Sequence, residues 1–586
     1  MPEFFPENTK PYTAMFSNKE NVNILTSLLI ANGISDAVVC PGSRNAPIVH
    51  NLNATGLIRC HPVTDERSAG FYALGITLAT NAPVVVCVTS GSALLNLAPA
   101  VAEAFYRHQP LIVVSADRPQ QWIGQLDGQT LPQQGAFGPM VRRSVTLPEP
   151  HNEEERWHCN RLVNEALFVS TCHGSAPVHI NVPISEPLFT FDVERLPAER
   201  ELQPMQKVCS FEQQKELFAS FYTASRPMIV VGQTLPGMLS ADTMRQLRQH
   251  YVVLAEPLGN SSAYDVHADE AVRAIGDDEA YRPDFIIYVG DTIVSKPVRK
   301  FLRRAKADVC MLTLDARTVA DPLMSLTGIV ELDNPEDIDQ LLLNLCNLYD
   351  APAEYADDEN IMQHEPSRRA FFDLWKAVLD AAASHAEYFE PPYSQMAVVK
   401  YFEQQLEDID FDCQVHYANS TAVRLASIYA AHPVWCNRGV NGIEGSLSTA
   451  AGFSLATQDR VFCIIGDLSF FYDQNALWNQ CLGGNLRIIL LNNGGGGIFR
   501  QLPGLDQSPV ADTMVGGSHK AEARGICTQN DIGYLKASNM QEMQIGVVTL
   551  LTQESQRPML LEVFTDADTD AQAMKQYFEA FLNSWQ

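Results

Sequence analysis

Between residues 466 and 499 the chain reads GDLSFFYDQNALWNQCLGGNLRIILLNNGGGGIF, with an acid at one end and two asparagines followed by four glycines at the other. The apolar run RVFCIIGD predicts a buried strand that releases Asp467 at its end, and RIILLNN predicts the next strand, ending at Asn493. A strand-helix-strand unit of this length is right-handed in nearly all cases, so the two strand ends reach the same sheet edge. One carboxylate, one amide oxygen and a backbone carbonyl from the glycine run give a hard cation three oxygens, leaving the other positions to phosphate and water, as Mg²⁺ prefers. The N–H groups opening the following helix suit an anion beside it. The two ends together make a candidate Mg²⁺ and diphosphate site. Taken singly, Asp467 also fits a helix cap and the glycine run a turn.

Such residues need a frame. The chain has 586 residues, too many for one core, and a prior of roughly 150–200 residues per domain suggests about three. A hydrophobic share of 46% against 19% charged residues is a globular balance, without repeat or low-complexity tract. The formal charge of −28 argues against a sequence-independent grip on nucleic acid or anionic lipid, which needs a basic face. The opening MPEFFPENTKPYTAMFSNKE is too polar for a signal peptide, and no apolar run nears the roughly 18 residues of a membrane span, so a cytoplasmic protein is expected. Thirteen cysteines are scattered without a CxxC pair, which suggests reduced thiols and no zinc knuckle. HExxH, GxxxxGK[ST] and GxSxG are all absent.

Three α/β blocks follow from the periodicity. From residue 20, NVNILTSLLIANG, SAGFYALGITLAT and LLNLAPAVAEAFYRH read as helices, alternating with strands DAVVCPG, PVVVCVTSG and PLIVVSADRP. A second block, 208–350, has strands PMIVVGQ, YVVLAEP, DFIIYVGD and VCMLTLD but no GxGxxG after the first, so no dinucleotide is assigned to it. The acidic LYDAPAEYADDENIMQHEPS reads as a linker, placed at 351–390. The third block, 391–586, has strands around QVHYANS, PVWCNRG, RVFCIIGD, RIILLNN and PMLLEVFT, with helices GSLSTAAGFSLAT and DQNALWNQCLGG. Buried parallel sheets are implied, with active-site loops at the strands' carboxyl ends.

GDLS followed by NN at this distance resembles the thiamine diphosphate motif of thiamine-dependent decarboxylases and carboligases, a likeness that extends over almost the whole chain. It implies three Rossmann-like α/β domains: pyrimidine-binding (15–195), central (208–350) and diphosphate-binding (391–586). It also implies Mg²⁺, with Mn²⁺ as a chemical alternative, held by Asp467, Asn493 and the Gly495 carbonyl, while Gly466, Asp467, Leu468 and Ser469 meet the diphosphate. VTDERSAGFYALG places Glu66 where the family has a glutamate that hydrogen-bonds the aminopyrimidine 1′-nitrogen, so that the cofactor becomes its own base. An ordinary first-turn acid is the plainer reading of Glu66. Ile443 in NRGVNGIEG matches the aliphatic residue on which the cofactor bends, or else is a core isoleucine. The family further implies a homodimer with sites completed between subunits, or a tetramer of two such dimers.

PGSRNAP, SADRPQQWIGQLDGQ, VSKP, NSTAVR and NRGVNGIEG resemble segments of the menaquinone-pathway branch of that family, which decarboxylates 2-oxoglutarate and adds the succinyl carbanion equivalent to isochorismate. By that resemblance Ser43, Arg44, Arg118, Gln129 and Lys296 orient isochorismate, Ser420, Arg424 and Arg438 meet the 2-oxoglutarate side, and Phe499 and Leu502 cap the pocket. Both substrates are dicarboxylates, which suits arginine's planar fork and lysine's movable charge. Any one of these cations also fits a surface ion pair. Gly494 stands where a third asparagine is common, and Gly497 where a larger polar residue is, which leaves the loop shape and pocket lining open. Two alternatives are another thiamine diphosphate-dependent 2-oxo-acid decarboxylase or carboligase and, from another class, a non-catalytic metabolite-binding regulator. YRHQP offers only one histidine where the pyruvate decarboxylase type has a pair.

Overall fold

The computed structural model describes residues 15–585 apart from 173, 202–210, 236–237, 260–266, 316–319, 351–358, 498 and 500–503. The chain divides into two compact units, one reaching Met205 and taking in Ala451–Ala456 and Asn479–Cys481, the other holding the remainder.

The first unit is built on a parallel six-stranded sheet. Its strands are β2 (Asp36–Val39), β3 (Arg59–Pro62), β4 (Val84–Val88), β5 (Leu111–Asp117), β6 (Arg143–Thr146) and β7 (Val178–Pro183), in the order β3-β2-β4-β5-β7-β6. A short antiparallel pair, β1 (Phe16–Ser17) with β8 (Phe191–Val193), stands apart from it. Strands such as VVVCV are apolar at every position because side chains on both faces are buried, with Val85 and Cys87 packing beside Leu25, Ile48 and Val163. The helix Glu66–Thr80 starts where Asp65 accepts the N–H groups of Arg67 and Ser68, and it stops at Asn81 in the left-handed region (φ 51°).

The second unit holds two parallel five-stranded sheets. The central one orders β9 (Pro227–Val231), β10 (Val252–Ala255), β11 (Phe285–Val289), β12 (Asp308–Thr313) and β13 (Leu326–Glu331) as β10-β9-β11-β12-β13. The other orders β14 (Cys413–Tyr417), β15 (Arg460–Gly466), β16 (Leu486–Asn492), β17 (Gly533–Ala537) and β18 (Met559–Phe564) as β14-β15-β16-β18-β17. The α/β class with parallel sheets is therefore the one the periodicity implied.

Three local expectations change. Much of 351–390 is not an extended connection but a helix, Glu359–Tyr388, whose Phe371, Trp375, Val378 and Ala382 enter the central core. The spacing of those four residues is a helical apolar stripe, and 351–358 lies outside the described residues. DQNALWNQCLGG forms only a 3₁₀ turn, Gln474–Trp478, because the buried Asp473 is committed to the backbone N–H and hydroxyl of Ser448 (2.8 and 2.7 Å). PVWCNRG pairs through a single bridge, Trp435 with His416, rather than as a strand.

Candidate active site

β15 and β16 lie side by side with Gly466 opposite Leu491, so Asp467 and Asn493 emerge together at one sheet edge. Asp467 is 3% exposed. Its Oδ2 accepts the backbone N–H groups of Asn493, Gly494 and Gly495 at 3.1, 2.8 and 3.0 Å, and its Oδ1 accepts that of Leu468 at 2.7 Å. The carboxylate thus reaches across to the glycine run with one oxygen while the other holds the Leu468 N–H of its own helix, and Oδ1 keeps a lone pair free of the chain. Burial raises its pKa, while the nearby His519 and the backbone N–H groups of Leu468, Gly495 and Gly494 pull the other way. His519 brings Nε2 to 3.4 Å from Oδ2 and accepts the Ala521 N–H on Nδ1.

The two asparagines have different partners. Asn492 donates to Glu562 (2.8 Å) and to the Ala521 carbonyl (3.0 Å) and accepts the Gly494 N–H, so it braces the loop. Asn493 donates Nδ2 to Asp570 at 2.9 Å, and Asp570 also accepts from Gln395 N and the Thr565 hydroxyl. Because an ionised carboxylate only accepts, the Asn493 oxygen is the end turned away from it. Gly494 sits at φ 78°, a conformation that asparagine also visits, which accounts for glycine where a third asparagine is common. At Gly497 a Cβ would lie 2.7 Å from Asn493 Nδ2, so glycine there gives the amide room.

This donor set fits Mg²⁺: one carboxylate oxygen, one amide oxygen and the Gly495 carbonyl, which among the described residues accepts the Gly497 N–H at 3.0 Å. Among the described residues no group of three His, Cys, Asp or Glu could hold a metal. The donors here are of mixed type and fall outside such a group. The N–H groups of Leu468 and Ser469 open the helix Asp467–Tyr472 beside them.

At the end of β14, Ser420 has φ 76° and ψ −125°, a strained conformation for a non-glycine residue, and it starts the helix Thr421–Tyr429 that carries Arg424. Arg438 is 7% exposed and donates Nη1 to Asn419 at 3.2 Å, while its Nε is buried without a hydrogen bond. Arg424 Nη1 is likewise buried and unbonded. Burial, then the charge of Arg438, lower the Arg424 pKa, with Asp269 acting in the opposite sense. Lys296 opens the helix Lys296–Ala305 and is exposed. Ile443 is 45% exposed, so it is not a core isoleucine in this unit. Phe499 closes over the glycine run, its ring 2.7 Å from where a Gly496 Cβ would stand, and Leu502 lies outside the described residues.

In the first unit, the carboxyl ends of β3, β2, β4 and β5 are neighbours. They carry, in that order, Glu66, Ser43 with Arg44, the loop at Gly91, and Arg118. Asp65 does the capping, so the Glu66 carboxylate is not needed for the helix end. Arg44 is buried, donating to the Ile184 carbonyl (3.0 Å) and Glu186 (3.3 Å). Arg118 donates Nε to the Gly128 carbonyl at 3.1 Å and pairs with Asp127, next to Gln129, which lies at φ 57°. Beneath these loops Gln133 accepts the Gly91 N–H (2.7 Å) and donates to Asn181 (2.8 Å). Asn181 donates to Asp117 (2.8 Å), which accepts the Arg118 N–H. His179 completes this buried network in the neutral state, its pKa lowered to about 4 by burial. The sequence does not single out Gln133, Asp570 and Glu562, since each acts through a partner distant in sequence.

Comparison with known proteins identifies the two domains. A model described as thiamine pyrophosphate enzyme, N-terminal TPP binding domain, matches residues 20–141, and its C-terminal TPP binding domain counterpart matches 418–563. The fold is that of a thiamine diphosphate-dependent enzyme. Similar chains include the 2-succinyl-5-enolpyruvyl-6-hydroxy-3-cyclohexene-1-carboxylate synthases of Phocaeicola vulgatus (41% identity, 97% of this chain and 100% of the relative), Bacteroides thetaiotaomicron (40%, 96% and 99%) and Desulfotalea psychrophila (35%, 94% and 98%). The chain belongs to the family of these synthases and is a transferase-type enzyme.

Proposed function

We propose that the enzyme decarboxylates 2-oxoglutarate and joins the remaining four-carbon unit to isochorismate by 1,4-addition, giving 2-succinyl-5-enolpyruvyl-6-hydroxy-3-cyclohexene-1-carboxylate for menaquinone biosynthesis in the cytoplasm. The observation that carries the substrate class is the Arg424 and Arg438 pair. Two guanidinium groups close enough for one to lower the other's pKa, each with a buried unbonded nitrogen, await an anion that both can bind. A dicarboxylate satisfies them; an uncharged substrate does not.

When bound, thiamine diphosphate supplies the electron sink for the carbon–carbon bond that breaks. Asp467 Oδ1, Asn493 Oδ1 and the Gly495 carbonyl hold its Mg²⁺ (or Mn²⁺), and the backbone of Gly466, Leu468 and Ser469 receives the diphosphate. Ile443, exposed on this unit, would pack against the cofactor. Glu66, released from capping by Asp65, would hydrogen-bond the aminopyrimidine 1′-nitrogen and share a proton with it. Arg424 and Arg438 fix the carboxylates of 2-oxoglutarate with Ser420. Arg44, Arg118, Lys296, Ser43 and Gln129 orient isochorismate, and Phe499 with Leu502 keeps water out. The domain limits 15–195, 208–350 and 391–586 follow from this assignment. With Glu66 and Asp467 in different units, a homodimer whose subunits complete each other's sites is part of the reading.

The test is direct. The protein with thiamine diphosphate, Mg²⁺, 2-oxoglutarate and isochorismate should yield the succinylated product by mass spectrometry, with CO₂ release dependent on isochorismate. Equally fast CO₂ release without isochorismate would assign a simple decarboxylase instead.

A further inference from the structure

The central sheet also ends in chemistry. Glu256 follows β10 directly, is almost fully buried, and accepts two successive backbone N–H groups, those of Val294 and Ser295, at 2.5 and 2.8 Å. The next residue is Lys296. The charge of Arg438 acts on the same carboxylate and favours its ionised form. The segment leading to Arg438 is tied to this sheet edge by two hydrogen bonds, one at the residue after the acid and one at the end of the neighbouring strand β9. Val434 N donates to the Pro257 carbonyl at 3.0 Å, and Gln233 Nε2 donates to the Cys436 carbonyl at 2.9 Å. A second acid repeats the pattern: Asp269 accepts the Ser295 hydroxyl and lies close enough to Arg424 to raise its pKa.

A buried carboxylate has a large desolvation cost, which packing alone does not explain. Two charge-assisted hydrogen bonds to one loop and a countercharge on another are what offset it. We infer that Glu256 is a positioning residue that holds the Lys296 loop and the Arg438 guanidinium in one frame, fixing where the two substrates' carboxylates sit relative to each other. The substrate part of this inference rests on the proposed function; the loop-holding part does not. The groups facing Glu256 are Arg438, Asp269 and Tyr288. Burial pushes its pKa up to about 7, against the pull of the Val294 and Ser295 N–H groups and of Arg438. Its charge therefore changes within the working pH range.

The experiment compares wild type with Glu256→Gln and Glu256→Asp as holoenzymes. Glu256→Gln keeps the shape but loses the charge and one acceptor, and should raise KM for both substrates about tenfold with a smaller change in kcat. It should also remove any inflection near neutral pH from the kcat/KM profile, and Glu256→Asp should restore part of the KM. Hydrogen exchange at Val294–Ser295 should speed up in Glu256→Gln whether or not substrate is present. Unchanged KM values and pH profile, or a uniform fall in kcat alone, would overturn the coupling. Unchanged exchange at 294–295 would overturn the positioning role even if the substrates prove to be different ones. If wild type fails to turn over this substrate pair, the functional reading falls, and the exchange result still decides the inference.

Discussion

Asp570 accepts the side-chain N–H of Asn493 at 2.9 Å, and this single bond leaves the amide oxygen as the end available to another partner. The asparagine is placed by its strand, but its chemical polarity is set by a helix, Ala567–Trp585, far along the chain.

Replacing Asp570 by alanine should therefore free the amide to rotate and weaken Mg²⁺-dependent thiamine diphosphate binding by about 10–100-fold, the usual effect of losing a residue that orients a metal ligand. Titration calorimetry with Mg²⁺ varied at fixed thiamine diphosphate measures this. Unaltered Mg²⁺ dependence would mean that Asn493 is not a ligand.

Glu66→Gln should leave cofactor binding nearly unchanged while lowering turnover by about 10²–10⁴, the range for a lost acid–base group. Binding and rate need to be measured on the same preparation. Turnover at the wild-type rate would remove Glu66 from the chemistry.

Arg424→Ala should raise KM for 2-oxoglutarate by about ten- to a hundredfold, as expected for a charge-assisted bond of roughly 1.5–3 kcal/mol. KM for isochorismate should change much less. Steady-state kinetics with each substrate varied in turn separates the two, and equal effects on both would contradict the division of roles.

His432 gives a pH dependence of stability. Nε2 lies 2.8 Å from a Glu403 oxygen and Nδ1 2.9 Å from the Pro433 carbonyl, two acceptors that favour a doubly protonated ring. Burial lowers its pKa, but Glu403 and the Pro433 carbonyl outweigh burial and the net shift is upward. A raised histidine adds stability that is fully present below the ordinary histidine range and is lost as pH rises through the folded-state value. Melting temperature should fall across that interval in wild type and flatten in His432→Gln; parallel curves would dismiss the pair.

Trp375 is fully buried among Tyr281, Phe301 and Phe371 and donates Nε1 to the Tyr281 carbonyl at 3.0 Å. Trp375→Ala should cost about 3–5 kcal/mol in chemical denaturation. A loss under ~1 kcal/mol would restore the view of this segment as a mere connection.

What the sequence made legible follows from locality. Asp467 and Asn493 stand out because each terminates an unbroken apolar run, and such runs are readable as buried strands. Asp570 and Glu256 do not, because their partners are 77 and 38 positions away and nothing local marks an acid as an acceptor of a distant amide. β3 was equally hard to see: RCHP has no apolar run and ends in proline, which an edge strand tolerates and a central one does not. The helix Glu359–Tyr388 was obscured by its acidic opening and by Pro366, although the stripe from Phe371 to Ala382 was present in the sequence.

The conformation of Ser420 has a bearing on how this enzyme can evolve. A serine held at φ 76° and ψ −125° costs on the order of 1–3 kcal/mol, whereas stability averages only roughly 0.1 kcal/mol per residue, so one serine offsets what about ten to thirty ordinary positions supply. Glycine would relieve that strain at once, and would also slacken the turn that aims Arg424. Selection for heat resistance and selection for a firmly held Arg424 would thus pull on the same codon in opposite directions.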